Sequence, residues 1–470
     1  MDASRLELTR NFVMLCGYFS YDPRLQESAG RERLLASYRP WYERQDAEAR
    51  KRYYGYLAGY YYPNFLKVAF PECGDVLEGR EGPGPGAPLL HLTLRDALPV
   101  RASIAVSGRP ARAVAFDWAD LYLYPEGIGV FAVKTRLLAE ADAGGKPDMA
   151  ALSDYLYLLR SDAAELDAGG WKGTVAAFIQ GRVMKAPTAG SPWLLFGGGG
   201  ADASASHAFH SKLKTLIAAE TDLDVSTEEG GELEENLLFE LGTGSRLGTI
   251  RENGHFAPSR DYYRRIVETG KISVFNNWSC LSLFDTFTVL LNKPQSSSFS
   301  TLDNFENIYL SLYVHAVFLK LALYRLNTQI AELSPSDKRN KAARDRFLGI
   351  KNLFFMSHVS NNFLPNEMHR RLSESLEIES EIGQLEEKIE KINDGIEERS
   401  AQVMNRFLAF MAFVAPFSAM WDFTEWSNKI FGLDRSYPVF SLLVFVALFL
   451  VPLAAILSMS ARRRRRRGRG

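Results

Sequence analysis

Histidine and cysteine are scarce in this chain, with seven histidines and three cysteines in 470 residues. Cys16, Cys73 and Cys280 lie far apart and share no metal-ligand spacing, which argues against a disulfide framework and fits a reducing compartment. His207 and His210 form an HAFH pair with no Cys or acidic partner nearby, so they read as surface residues, and His315 in an apolar helix reads as a satisfied core histidine. No stretch assembles a nucleophile, a base and an orienting acid, so no enzyme is expected. The glycine run 197–200 lacks both the Lys-Ser/Thr of a phosphate loop and GxGxxG spacing, and reads as a flexible insert. The opening MDASRLELTR is charged and has no apolar core, so no cleavable signal peptide is expected.

What is present is concentrated at the other end. Residues 407–421 and 438–461 are two uncharged apolar runs, and Arg462, Arg463, Arg464, Arg465, Arg466 and Arg467 follow the second. About 20 apolar residues span a bilayer core as a helix. The second run meets that length, and the first reaches it by taking in 422–426. The expectation is a first transmembrane helix at 404–426, an external loop at 427–437, a second helix at 438–461 and a basic tail at 462–470. Of 55 basic residues seven lie after Ala461, opposing 56 acidic ones, so the body carries −8 and the tail +7. Lys and Arg beside a span stay cytoplasmic. Arg399, Arg406 and the arginine block therefore predict a multi-pass inner-membrane protein with both termini in the cytoplasm. The arginine block also suits anionic lipid headgroups.

Ahead of the membrane the chain divides by composition. Residues 1–88 read as an aromatic-rich helical segment, with Tyr53, Tyr54, Tyr56, Tyr60, Tyr61 and Tyr62 clustered and a Gly/Pro linker at its end. An α+β cytosolic domain is expected over 89–300. Its strand candidates are 89–94, 103–106, 111–116, 119–124 and 128–137, the last two joined by Pro125-Glu126-Gly127, and 148–166 reads as a helix carrying Met149, Leu152, Leu156 and Leu159 on one face. Long helices follow over 301–403: one from Phe305 to about 333, another from Asp337 to about 359, and a third from Asn366 with no break before Pro416. Ile382, Leu385, Ile389, Ile392, Ile396 and Val403 follow 3-4 spacing along the third, a coiled-coil seam. At about 1.5 Å per residue, roughly 50 residues make a stalk about 75 Å long. The fold class is thus an α+β cytosolic head, a long helical stalk and two C-terminal transmembrane helices.

A long helix entering the first of two C-terminal spans, a short loop and a basic tail resemble the CorA-like two-transmembrane superfamily over about 304–467. Ala415-Pro416-Phe417-Ser418 looks like its Pro-aliphatic-Thr/Ser step and Ser436-Tyr437-Pro438-Val439 like its Tyr-Pro entry to the second helix. The resemblance implies a homo-pentamer with the first span around a central pore. The family's magnesium transporters carry Gly-Met-Asn after that span, and this chain does not. That departure removes the carboxamide expected to meet a hydrated Mg²⁺. Segments 121–129 and 275–285 look like the divergent heads of CorA-like proteins associated with type III CRISPR loci. There the head is implied to bind a signal nucleotide in antiviral defence.

On this resemblance Met404, Phe407, Met411, Ala415 and Ser418 would line a pore with a hydrophobic gate, against ordinary bundle packing. Asp422, Glu425 and Asp434 would ring its external mouth, against a merely solvated loop. The tyrosine cluster and Asn276-Asn277-Trp278 suit base stacking or, more simply, an aromatic core. Trp278, Asp285 and Thr286 are the ligand-binding candidates. The expected function is a homo-oligomeric ion channel gated by a ligand-sensing head. Its rivals are a divalent-cation transporter and a tethered binding module without transport. No resident cofactor is expected beyond a divalent cation or signal nucleotide as ligand. The expected partners are membrane lipids, further copies of the chain and a small ligand or cation, with no nucleic acid bound directly.

Overall fold

The computed structural model describes residues 3–21, 34–80, 87–95, 98–125, 127–139, 145–184, 193–195, 213–252, 257–292, 302–331 and 339–431. The chain separates into two units, Met1–Lys388 and Ile389–Gly470.

One mixed sheet organises the first unit. Its strands begin with β1 (Leu8–Tyr21), β2 (Tyr38–Pro40), β3 (Leu90–Leu94), β4 (Val100–Ala105), β5 (Arg112–Tyr124) and β6 (Ile128–Leu137). They continue with β7 (Glu165–Ala168), β8 (Trp171–Gly173), β9 (Trp193–Leu195), β10 (Lys214–Thr221), β11 (Lys271–Phe275), β12 (Trp278–Ser282) and β13 (Thr286–Asn292). The order is β11-β12-β13-β10-β1-β6-β5-β4-β7-β8, with β2 and β3 branching from β5 and β9 pairing β1. Only β10 and β13 run parallel among the described pairs. The hairpin β5–β6 closes at Gly127, whose φ of 71° lies in the left-handed region that glycine enters without penalty.

The helical expectation for residues 1–88 fails at β1, a 14-residue strand at the centre of the sheet, paired with β6 on one side and with β10 on the other. From Phe12 to Phe19 the strand is buried on both faces apart from half-buried Tyr18, so this part of its sequence is a near-continuous apolar run that lacks the alternation of a half-exposed strand. Gly17 and Gly129 then become legible. They sit opposite Phe131 and Phe19 on adjoining strands, and a Cβ on either glycine would come within about 2.3 Å of the facing ring. Each aromatic lies over its partner's glycine. Helix is found later in the segment, in α1 (Ala47–Tyr60) and the short pieces Pro63–Ala69 and Cys73–Leu77.

Helices cover both faces of the sheet. On the face of Val13, Leu15, Phe131 and Val133 lie α2 (Met149–Arg160) and α3 (Glu228–Thr243), the latter followed in sequence by α4 (Arg260–Gly270). Asp148, Thr227 and Ser259 start these three by accepting hydrogen bonds from free N–H groups of their first turns. Helix α2 stops at Arg160, short of the expected 166, because 165–168 are drawn into the sheet as β7. On the opposite face lies α5 (Leu310–Ala331), where Phe318 stacks on Tyr124 with centroids 3.6 Å apart. Leu302–Ala331 is the one described helix long and apolar enough to cross a membrane, and its apolar window is 83% buried inside the protein. A helix apolar on all sides and so enclosed is a core helix.

Helices α6 (Arg339–Phe354), α7 (Phe363–Ser375) and α8 (Ile378–Phe431) complete the described chain. The expected unbroken helix from Asn366 is interrupted at Leu376-Glu377, where Glu377 takes a φ of 55°. Leu376 and Ile378 on either side are both buried, and a left-handed residue between them lets the chain turn while keeping both inside. Ile382, Leu385, Ile389 and Ile392 of the expected seam are buried, whereas Val403 is exposed. The helix runs on through Phe431, so 427–431 are helical where a loop was expected. The second expected span, Asp434 and the arginine block lie outside the described residues, as do His207, His210 and the glycine run 197–200.

Candidate functional site

The three residues expected to bind ligand do not meet. Trp278 is enclosed at one end of β12, edge-on to Phe305 at 5.5 Å. Thr286 is buried and donates to the Gly242 carbonyl at 2.7 Å. Asp285 lies in the turn after β12, exposed, and pairs with Lys214 Nζ at 2.7 Å. At about 3.3 Å per residue along a strand, Trp278 and Asp285 sit at opposite ends of the β12–β13 hairpin. Much of the tyrosine cluster packs inward, while Tyr56 and Tyr62 stay exposed. Tyr54 and Tyr61 are enclosed, and Tyr53 and Tyr61 donate to the carbonyls of Asn307 (2.5 Å) and Ile308 (3.1 Å). Those carbonyls belong to Phe305–Tyr309, a π-helical turn ahead of α5. A wider turn displaces carbonyls from the usual ladder, and here tyrosine hydroxyls take them up.

A second polar group pins the same turn. Asp120, 1% exposed, lies between Arg44 Nη1 (3.3 Å) and His91 Nε2 (3.4 Å). The His91 ring is sandwiched between Trp41 and Tyr122, at 4.9 and 4.1 Å. Glu306 on the turn accepts from Trp118 Nε1 at 2.8 Å and pairs with Lys134. Asp120 Oδ1 and His91 Nδ1 have no partner among the described atoms, and the adjoining cavity of about 30 Å³ has room for one water. This is space for a bridging solvent molecule, too little for a substrate.

A larger concavity lies between α3, α4 and β11. Its volume is about 1000 Å³, and its walls include Glu232, Asn236, Arg260, Tyr263, Arg264 and Lys271. Tyr263 donates to Asn236 Oδ1 at 2.9 Å, while Lys271 Nζ contacts Glu235 at 2.9 Å and Glu234 at 3.4 Å. Burial, followed by the negative charges of Glu235 and Glu232, raises the Tyr263 phenol above its ordinary range, so it stays a neutral donor. Glu240 fixes the far wall by accepting from the backbone N–H groups of Gly248 and Ile250, both at 3.0 Å. Arg260 and Arg264, exposed one helical turn apart on α4, share the lining with Glu229, Glu232, Glu235 and Glu268, so the groove carries charges of both signs. Such a groove offers a small polar ligand charges of both signs and hydrogen-bonding groups. Sequence reading missed it because its residues come from three separated segments; the Ser259-capped, Arg-rich amphipathic stretch 260–267 is the one local sign.

The pore-lining candidates fall on α8. Met404, Phe407 and Met411 are exposed, and so are Val403, Leu408, Phe410, Phe413 and Val414 on its other faces. Ala415 is exposed too. Ser418, Asp422 and Glu425 follow on the same helix. No group of three or more metal-ligating side chains occurs among the described residues. Buried His315 and His369 each bond one ring nitrogen to a carbonyl, of Phe354 at 2.8 Å and Met356 at 2.9 Å. The Nδ1 atom of His315 has no partner among the described residues, so the expected core histidine is core but only half satisfied.

No family model matches this chain. No curated protein and no solved structure shows significant similarity to it.

Proposed function

We propose that this chain is the subunit of a CorA-like, homo-oligomeric ion channel of the inner membrane, with both termini cytoplasmic. Its α+β head senses a small ligand in the groove between α3 and α4. One observation carries the membrane half of this reading: over 407–415, α8 is apolar on every face and exposed on every face. Leaving so many large side chains in water is costly at about 25 cal/mol per Å². Lipid on one side and neighbouring copies on the other remove that cost, and Phe407 and Met411 then stand where a ring of copies would gate a pore. The groove's volume and its charged and hydrogen-bonding walls suit a small polar ligand, and the nucleotide type is the class implied by the resemblance to CRISPR-associated heads.

Reconstitution tests the reading. Full-length protein should partition into liposomes and release a trapped ion in a manner that Phe407→Glu alters. Denatured protein should release an adenosine-containing ligand detectable by mass spectrometry. Liposomes that stay tight with every cation and nucleotide tried would leave a tethered binding module. Magnesium-dependent rescue of a transport-deficient strain would favour a divalent-cation transporter instead.

A further inference from the structure

We infer that the groove is mechanically joined to the root of α8 through the end of β12, so that whatever fills the groove bears on the long helix. This rests on reading the groove as the head's ligand site. The connection begins where α4 ends. Gly270 passes so close to β12 that a Cβ there would lie 2.9 Å from the Ser282 carbonyl and 3.0 Å from Leu281. Lys271, a wall of the groove, is the cross-strand partner of Leu281. Ser282 in turn shares a hydrogen bond of 2.6 Å with Ser375, the last residue of α7. A second tie runs beside it, since Arg371 of α7 donates to the Thr269 carbonyl near the end of α4. Movement of α4 or β11 therefore reaches the last turn of α7 through two hydrogen bonds and one close backbone contact.

Two residues beyond Ser375 stands Glu377, the described non-glycine residue with positive φ. L-residues enter that region at a cost and hold it only where the surroundings enforce it. The surroundings are supplied from the sheet side. Lys320 of α5 reaches Glu381 on the first turn of α8 at 3.0 Å and Glu377 at 3.9 Å. The Lys320 ammonium also lies 5.4 Å from the Phe284 ring, and Lys214 lies over the same ring at 3.7 Å. Lys214 pairs with Asp285, so the turn between β12 and β13 is clasped by both lysines. Asp285 is thus part of the joint. Coupling of this kind is credible only where a discrete element has two arrangements, and the left-handed Glu377 between two buried anchors is that element.

Amide exchange on the full-length protein in detergent tests the joint without any ligand or ion flux. Ser375→Ala removes the 2.6 Å bond. It should raise exchange about fivefold both in α4 and over 376–388, the factor that one hydrogen bond supports. By reciprocity, Lys320→Met should loosen α4 as well as the start of α8. Gly270→Ala should displace β12 and deprotect the same peptides, while Tyr262→Ala on the exposed side of α4 should leave 376–388 unchanged. Should Gly270→Ala fail to fold, Ser375→Ala still decides. Exchange changes confined to the immediate neighbours of each substitution overturn the joint, whatever the liposomes do. Coupled exchange together with tight liposomes keeps the joint and removes the channel.

Discussion

Helix α5 and the stretch 403–415 of α8 are built from nearly the same materials and meet opposite fates. Both are rich in Leu, Phe, Val and Ala with few charges, and both carry apolar residues around the whole circumference. In α5 this chain itself supplies the surroundings: the sheet, α6 and α7 enclose Val314, Val317, Phe318 and Leu319. In α8 the side chains of Val403 to Val414 are exposed, Phe410 at 61%. Composition alone does not separate a core helix from one that needs lipid or other copies. What separates them is whether the rest of the chain offers a partner for every face.

The largest break between the two should come from truncating one aromatic in each. Phe318 stacks on Tyr124 and meets Phe354 edge-on at 4.8 Å, so Phe318→Ala should cost the head about 3–5 kcal/mol in urea unfolding. Phe410→Ala should change head unfolding by less than about 0.5 kcal/mol, as an exposed substitution does. Phe410→Glu should instead weaken recovery of the protein in the membrane fraction. If Phe410→Ala unfolds the head as Phe318→Ala does, the contrast between the helices is lost.

The same contrast explains how much could be read in advance. The β5–β6 hairpin was legible because Pro125 and Gly127 interrupt two apolar runs at turn spacing. Strand β1 was not, because a run buried on both faces has no period that separates it from helix, and Gly17 acquires meaning only opposite Phe131. The core position of His315 followed from its apolar neighbours. Beyond the Arg-rich stretch 260–267 the groove had no local sign, since Asn236, Tyr263 and Lys271 converge only after α3, α4 and β11 pack. The break at Glu377 was hidden for a related reason: glycine announces a left-handed residue and glutamate does not.

A smaller effect sharpens the dryness of α5. Burial, followed by the charge of nearby His369, holds the His315 imidazole down to about 3 against an ordinary 6.5, and the Phe354 carbonyl opposes them. Below pH 6.5 the unfolded chain takes up a proton that the folded chain refuses. Stability is therefore flat above that pH and falls as pH drops toward 3, with a slope approaching about 1.4 kcal/mol per unit from this group. Burial also lowers His369, which adds in the same direction. The difference in urea midpoint between the wild type and His315→Gln, which can still donate to Phe354, should follow this course and amount to one proton. An unchanged slope would mean that water reaches α5.

The smallest effect is expected where α8 begins. Glycine at position 377 would remove the side-chain clash of the left-handed conformation, about 1–2 kcal/mol, and would add about 0.5–1 kcal/mol of chain entropy to lose on folding. The Glu377 carboxylate is 70% exposed and 3.9 Å from Lys320, so its ion pair contributes little. Glu377→Gly should therefore leave the head's urea midpoint unchanged or raise it slightly, by about 0.5 kcal/mol. At the same time it should speed exchange over 378–388, because glycine holds the turn less firmly than a residue trapped in it. A loss above about 1 kcal/mol would assign the carboxylate, rather than the backbone, the task of setting where α8 starts.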